Sequence, residues 1–327
     1  MMTTITWRKL LVTLVLSFAL SGHAAPTSAS DKSVKIGLVT GDIANLTVYV
    51  GAAKGFFKEA GLDAQIVQFN SDAAAAQGLT AGAVQLNVGS ISSVVNSYAT
   101  GRDLTAFWSV INMPAYQWYG QPKFNSFKDL KGGRIGISSF SSIAHRISEW
   151  AVAQNGMDPK KDVQYVAAGG PLERLAALKA GQVDAIPASP PGTFMLEKMG
   201  YKMLFDLKEA FSEFQYEVYY ARKGTIARER DLINRVIRAQ TKAIQWAKAN
   251  PEETTQIVMN HSGVAKDLYP FYRQTVDAAL PYYPENGVFA EKSIGMFIQF
   301  ARDQGQIKET PSLTALIDYS FVQDPPK

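Results

Sequence analysis

Apolar and polar positions fall into short blocks along the chain, and the blocks predict strands and helices in turn. Residues 34–39 read as a buried strand, 48–60 as a helix stopped at Gly61, and 63–69 as the next strand. Helix 73–81 stops at Gly82; strand 84–88, helix 92–100 closed by Gly101, and strand 104–110 follow. A second run predicts strands at 134–137, 163–166, 185–187 and 202–206, with helices at 142–154, 172–180 and 193–198 between them. Such alternation implies mostly parallel sheets flanked by helices. In Glu213-Phe-Gln-Tyr-Glu-Val-Tyr-Tyr220, Phe214, Tyr216, Val218 and Tyr220 point one way and the polar residues with Tyr219 the other. That pattern predicts a strand with one wet face. From Arg228 the pattern is helical. Leu232, Ile233, Val236, Ile237, Ile244 and Ala247 form one apolar stripe, halted at Asn250-Pro251. Further helices are expected at 252–260, 268–279, 291–304 and 312–319.

The two strand–helix runs repeat at a spacing of 99 residues. Val34-Lys-Ile-Gly-Leu-Val-Thr40 lies over Gly133-Arg-Ile-Gly-Ile-Ser-Ser139, and the segment 79–90 lies over 178–189 with Leu, Ala, Gly, Val and the closing Ser in register. Gly61-Leu-Asp63 answers Gly156-Met-Asp158 at an offset of 95, so a short insertion separates them. Two copies of this length predict two similar α/β lobes with a ligand cleft between them. The expected organisation is lobe 1 from 34–111 and 223–327, lobe 2 from 120–212, and crossings at 112–119 and 213–222.

Composition adds a location. Arg8 and Lys9 precede an apolar run at 10–20 that is short for a membrane span, and Ser21-Gly-His-Ala24 puts small residues before a cut. A secretory signal cleaved after about Ala24 is expected, then a linker over 25–33 and export to a periplasm. Cleavage removes two of the 33 basic residues and none of the 29 acidic ones, so net charge falls from +4 to +2. That balance gives little reason to expect a nucleic-acid partner. The chain has no Cys, hence no disulfide and no lipidation cysteine, and with three His it has no usual metal-ligand motif. No nucleophile elbow, phosphate loop or dinucleotide fingerprint occurs, which argues against an enzyme. No cofactor is expected, and the protein is expected to be a monomer.

In open α/β sheets ligands sit beyond the carboxyl ends of the strands. The repeat nominates the loops 40–46, 89–93, 138–145 and 188–191, all rich in hydroxyls, amides and glycine. Three run into helix starts, where free N–H groups favour an anion, although Ser and Asp there also serve as caps. Gly89, Ser92 and His145 are candidates within these loops, Tyr116 among the aromatics at the crossings, and Glu217 on the returning strand. His145 shows no positioned partner, so a satisfied or solvent-facing side chain stands beside the ligand reading.

Three segments carry a resemblance. Gly51-Ala-Ala-Lys-Gly-Phe-Phe-Lys-Glu-Ala-Gly-Leu62, Phe127-Lys-Asp-Leu-Lys-Gly-Gly-Arg-Ile-Gly-Ile137 and Leu178-Lys-Ala-Gly-Gln-Val-Asp-Ala185 resemble, in order, motifs of the periplasmic solute-binding proteins for sulfonates, taurine, nitrate and thiamine-precursor pyrimidines. The likeness spans about 34–220, with Val84-Gln85 departing from the usual Val-Asp. It implies a two-lobed type II periplasmic-binding fold, a small organic anion or heterocycle held between the lobes, and an ABC permease as partner. It also implies ligand contacts at Asp42, Asn45, Ser90, Ser139, Ser141, Ser142 and Ser189. Eukaryotic enzymes of the same superfamily make the thiamine pyrimidine; they carry a cysteine-rich motif that this chain lacks. Two alternatives remain: a periplasmic enzyme pairing His145 with a serine of 138–142, and a ligand sensor docking on a membrane receptor.

Overall fold

The chain builds two five-stranded sheets of one design. The computed structural model describes residues 32–39, 42–303 and 305–323; the expected signal segment and most of the linker lie outside them. The strands are β1 (Lys32–Val39), β2 (Leu62–Phe69), β3 (Leu86–Ser90), β4 (Leu104–Ile111), β5 (Gln117–Gly120), β6 (Arg134–Ile137), β7 (Gln164–Ala167), β8 (Ala185–Ala188), β9 (Lys202–Asp206) and β10 (Glu217–Arg222). The first sheet runs β2-β1-β3-β10-β4 and the second β7-β6-β8-β5-β9. The 99-residue repeat is a shared register. Ile36 pairs with Ile66 and Leu86, and Ile135, 99 residues on, pairs with Tyr165 and Ala185 at the same offset.

The sheets are mixed rather than uniformly parallel. β10 runs antiparallel to both β3 and β4, and β5 runs antiparallel to both β8 and β9. Each reversed strand enters straight from the other sheet: β5 follows β4, and β10 follows β9. The two crossing segments are tied together, because Phe214 N donates to Asn112 O (3.0 Å) and Tyr216 N to Ile111 O (3.1 Å).

Helices α1 (Leu46–Ala53), α2 (Phe56–Glu59), α3 (Asp72–Thr80) and α4 (Ile91–Ala99) belong to the first strand–helix run. Helices α5 (Ile143–Gln154), α6 (Pro171–Lys179) and α7 (Gly192–Lys198) belong to the second. The C-terminal part carries α8 (Lys223–Arg228), α9 (Arg230–Ala249), α10 (Pro251–Ser262), α11 (Tyr269–Ala279), α12 (Glu291–Asp303) and α13 (Leu313–Leu316). The single helix expected over 48–60 is two helices. Gly55 at φ 75° breaks the α-helical path between α1 and α2, a conformation that glycine adopts without a Cβ clash. The stripe on α9 is buried as expected, with Leu232, Ile233, Val236, Ile237, Ile244 and Ala247 all in the core.

The expectation of a wet face over 213–220 is corrected. β10 lies between β3 and β4, and Phe214 through Ala221 are all buried. The polar residues of this stretch are satisfied or held inside rather than solvated. Gln215 donates to Ser109 Oγ (3.0 Å) and accepts from Ala290 N (3.1 Å), while Glu217 is only 4% exposed.

Candidate functional site

The carboxyl ends of both sheets bring a small set of polar side chains into one buried region. From the first sheet come Asp42, after β1; Asp72, the first residue of α3; Ser90, at the end of β3; and Glu217, opening β10. From the second come Ser189, after β8, and Arg174, on α6. Tyr116 and Tyr216 sit on the crossings with rings edge to face at 5.2 Å.

Tyr216 links the two sides. Its hydroxyl donates to Asp42 Oδ2 (2.8 Å) and lies 3.4 Å from Ser189 Oγ. Asp42 also accepts from Ala44 N (2.9 Å), capping the turn that holds it. The backbone amides of Ser90 and Ile143, one from each side, favour the charged form of Asp72. Burial nonetheless pushes Asp72 up from 3.8 to about 6, with the neighbouring Asp42 charge adding to the push. Asp42 is raised by burial too, against its hydrogen bonds and the Arg174 charge. Glu217 is driven well up by burial, then by Asp72 and Asp42. Asp42 thus acts on both other carboxyl groups and Asp72 on Glu217, with the Arg174 guanidinium as the opposing charge on Asp42 and Asp72.

Two buried polar atoms here have no hydrogen-bond partner among the described residues: Glu217 Oε2 and Arg174 Nε. Arg174 is 2% exposed and donates from Nη1 to Gly169 O (3.0 Å). Unpartnered buried polar atoms cost about 1–3 kcal/mol each, so they mark places where a ligand group can be recognised. Gly89 packs closely against Tyr220 and Glu217. A Cβ there would meet the Tyr220 ring at 3.2 Å and Glu217 Oε2 at 3.6 Å.

The serines divide by role. Ser142 Oγ accepts from His145 N (3.3 Å) and caps α5. Ser141, at φ 67°, accepts the Arg146 guanidinium on its hydroxyl (3.0 Å). Ser90 Oγ caps α4 and lies 2.8 Å from Ser92 Oγ. Ser139 Oγ is buried with no partner among the described residues. Asn45 is turned into the fold, donating to Val39 O (2.6 Å). Thr40 and Gly41 of the first loop lie outside the described residues.

His145 is a scaffold residue in this geometry. Its Nδ1 accepts the Ser141 amide (3.0 Å), and its ring lies between Phe140 and Tyr165. Burial and the Arg146 charge hold its pKa down at about 4, so it is neutral at ordinary pH. With Nδ1 taken by a backbone amide, and Ser141 and Ser142 engaged by Arg146 and the His145 amide, the imidazole makes no hydrogen bond to a serine hydroxyl among the described residues, so the pairing needed for a serine nucleophile is not assembled. Among the described residues no group of three His, Asp or Glu is disposed to hold a metal.

α4 and α5 meet across the cleft. Asn96 donates to Ser141 O (2.7 Å) and accepts from Arg146 Nη2 (3.2 Å). Arg146 in turn pairs with Glu149 (3.0 Å) inside α5. Beside this contact opens a cavity of about 180 Å³ lined by Asp72, Gln77, Asn96, Arg102, Phe140 and Ser141. Of the residues in this region, Asp42, Ser90, Tyr116, Ser189 and Glu217 were legible as candidates in the sequence. Asp72, Arg174, Tyr216 and Asn96 were not placed there.

The chain matches the NMT1/THI5 like family over residues 43–254. It is 24% identical over 280 residues to the putative binding protein YtlA of Bacillus subtilis (strain 168), covering 84% of this chain and 79% of that one. Among solved structures it is similar to the alkanesulfonate-binding protein SsuA from Xanthomonas axonopodis pv. citri, bound to MOPS. The TM-score is 0.73 at 16% identity, covering 89% of this chain and 100% of that one. A protein from Bordetella bronchiseptica RB50 superposes with a TM-score of 0.77 at 21% identity, over 90% of this chain and 96% of that one. At such identities the structural likeness is one of fold, the type II periplasmic-binding fold. The family match spans well over half the chain, and with it the chain belongs to the NMT1/THI5-like family of periplasmic solute-binding proteins.

Proposed function

We propose that this protein is the periplasmic solute receptor of an ABC importer, freed from its signal near Ala24, and that it takes a small organic solute between two closing lobes. The lobes are 34–111 with 223–327, and 120–212, joined by the crossings at 112–119 and 213–222. The observation that carries this reading is the meeting of polar groups from both sheets. Tyr216, Asp42 and Ser189 converge, and Asn96 reaches the backbone and guanidinium of the α5 start. The parts of the crossings that lie outside β5 and β10, 112–116 and 213–216, are tied by two backbone bonds and would bend as a hinge that leaves each sheet intact. A ligand that touches both lobes only when they are closed shifts the population toward the closed form, and the permease reads that form. The neighbour SsuA is an alkanesulfonate binder, which supports a small organic ligand. Of the small organic anion and the heterocycle suggested by the sequence, the edge-to-face Tyr116–Tyr216 pair favours the ring-bearing solute. Small-angle scattering on the mature protein tests the clamp. Compaction on adding a ligand whose binding is verified by calorimetry is expected; unchanged dimensions at saturation would rule the clamp out.

A further inference from the structure

Resting on the receptor reading above, we propose that the cleft selects a solute carrying a protonated nitrogen, of amine or amidine type, and seats that nitrogen on the Glu217 carboxylate. Three carboxyl groups share this region: Asp42 and Asp72 both raise Glu217, Asp42 raises Asp72, and the Arg174 guanidinium opposes on Asp42 and Asp72. The first two are already satisfied by the protein. Asp42 holds the Tyr216 hydroxyl and the Ala44 amide, and the amides of Ser90 and Ile143 favour the charged form of Asp72. Glu217 is different. It is 4% exposed, and its Oε2 has no donor among the described residues. Gly89 is the near neighbour of that oxygen, where an added Cβ would stand 3.6 Å from Oε2 and 3.2 Å from the Tyr220 ring, so a larger residue there would crowd it.

Arg174 supplies a second, independent signal. Its Nε is buried and has no acceptor among the described residues, although two of the acids feel its charge. The site therefore offers one open acceptor and one open donor, in a field dominated by acids. A cation meets the open acceptor and offsets the excess of carboxyl groups, while a polar acceptor elsewhere on the solute meets Arg174 Nε. An anion would have to enter beside three acids with one guanidinium to receive it. Burying a charge is tolerated only when it is paired and hydrogen-bonded, and here the pairing partner is Glu217, which burial holds toward its protonated form and which releases that proton to solvent as the cation takes its place. The one route by which Glu217 could receive an anion is to hold its proton and donate it, and neutral and anionic probes report on that route.

The experiment uses the mature chain and one ring frame with different charges: benzylamine and benzamidine as cations, benzamide as the neutral form, benzoate and benzenesulfonate as anions. Melting and calorimetry are run with each at up to about 10 mM, where even weak ligands raise stability by mass action. The two cations are expected to raise the melting temperature and the two anions to leave it unchanged. Glu217→Gln should weaken the cations by roughly tenfold to a hundredfold, the usual loss for a charged hydrogen bond, and narrow their lead over benzamide. Should Glu217→Gln fail to fold, Asp72→Asn replaces it, since removing one acid from the field must also weaken the cations. Cations that give no shift, or anions that bind as well as the cations, overturn the proposal. Anions that bind and compact the protein leave the receptor reading standing and remove only the solute class. Bound probes of any charge that produce no compaction strike the receptor reading itself.

Discussion

Asp72 shows how a residue with an ordinary sequence signature becomes a sensitive part of the molecule. Following Ser71 at a helix start, it looks like a first-turn acid, and Ser71 does cap α3. In the fold it is 7% exposed and shares its environment with Asp42 and Arg174. Its pKa of about 6 lies above the ordinary 3.8, so the folded chain binds this proton more tightly than the unfolded chain. The resulting stability is fully present below about pH 4 and is lost as the pH rises toward about 6. Asp42, Glu149 and Glu217 are shifted in the same direction. Asp72→Asn removes one share, worth about 2–3 kcal/mol at the upper end of that window. Urea unfolding at pH 4 and pH 7 should show the variant gaining on the wild type by that amount as the pH rises. Parallel pH profiles for the two proteins would contradict this account. The same residue explains why part of the site was illegible. Asp72 and Arg174 occupy positions where helix capping and helix periodicity supply sufficient reasons for them, and only the fold puts them opposite each other. Asp42, Ser90 and Ser189 were readable because the repeat points to strand ends, which is where the fold puts them.

At the scale of elements, the contact between α4 and α5 concentrates the coupling of the two sheets. Asn96 makes both of its side-chain bonds to the other side, one to Ser141 O and one to Arg146. Arg146 remains paired with Glu149 whether or not Asn96 is present, so removing Asn96 leaves no buried charge alone. Asn96→Ala should therefore open the cleft while costing little stability, within about 1 kcal/mol for two lost bonds near the surface. The expected readout is a larger radius of gyration by scattering, with a melting temperature close to that of the wild type. A variant as compact as the wild type would show that this contact does not hold the closed form. The order of elements was legible because strand-length apolar blocks and glycine stops recur throughout. The reversed strands were less so. Residues 213–220 alternate in a way that reads as one wet face, because hydrophobicity alone does not separate a residue facing solvent from one buried in a polar cluster. Gln215 and Glu217 belong to the second kind.

For the whole molecule, the interleaving of the two sheets sets how the parts depend on each other. β10 stands between β3 and β4, so β4 meets the rest of its sheet only through it. Val218, fully buried and paired with Gly89 and Ser109, is the position to test. Proline there removes a ladder bond, leaving a buried carbonyl unpaired at about 1–3 kcal/mol, and its ring fits poorly in a central strand. Hydrogen exchange on Val218→Pro should show the amides of β3 and β4 losing roughly a hundredfold or more of their protection. The amides of β6 and β8 should lose much less. Equal loss in both sheets would show one indivisible unit.

That late strand also bears on how the chain is made. The first sheet begins at Lys32 but cannot close until residue 222 has emerged, after the whole of the second sheet has gone by. A polypeptide emerging N-terminus first, from a ribosome or through a membrane pore, therefore carries its leading sheet open for nearly two hundred residues of synthesis. Closing contacts that distant in sequence is intrinsically slow. The threading that builds the hinge thus also delays folding. On the export route proposed for it, that delay would keep the chain in a state that can be threaded through a membrane pore.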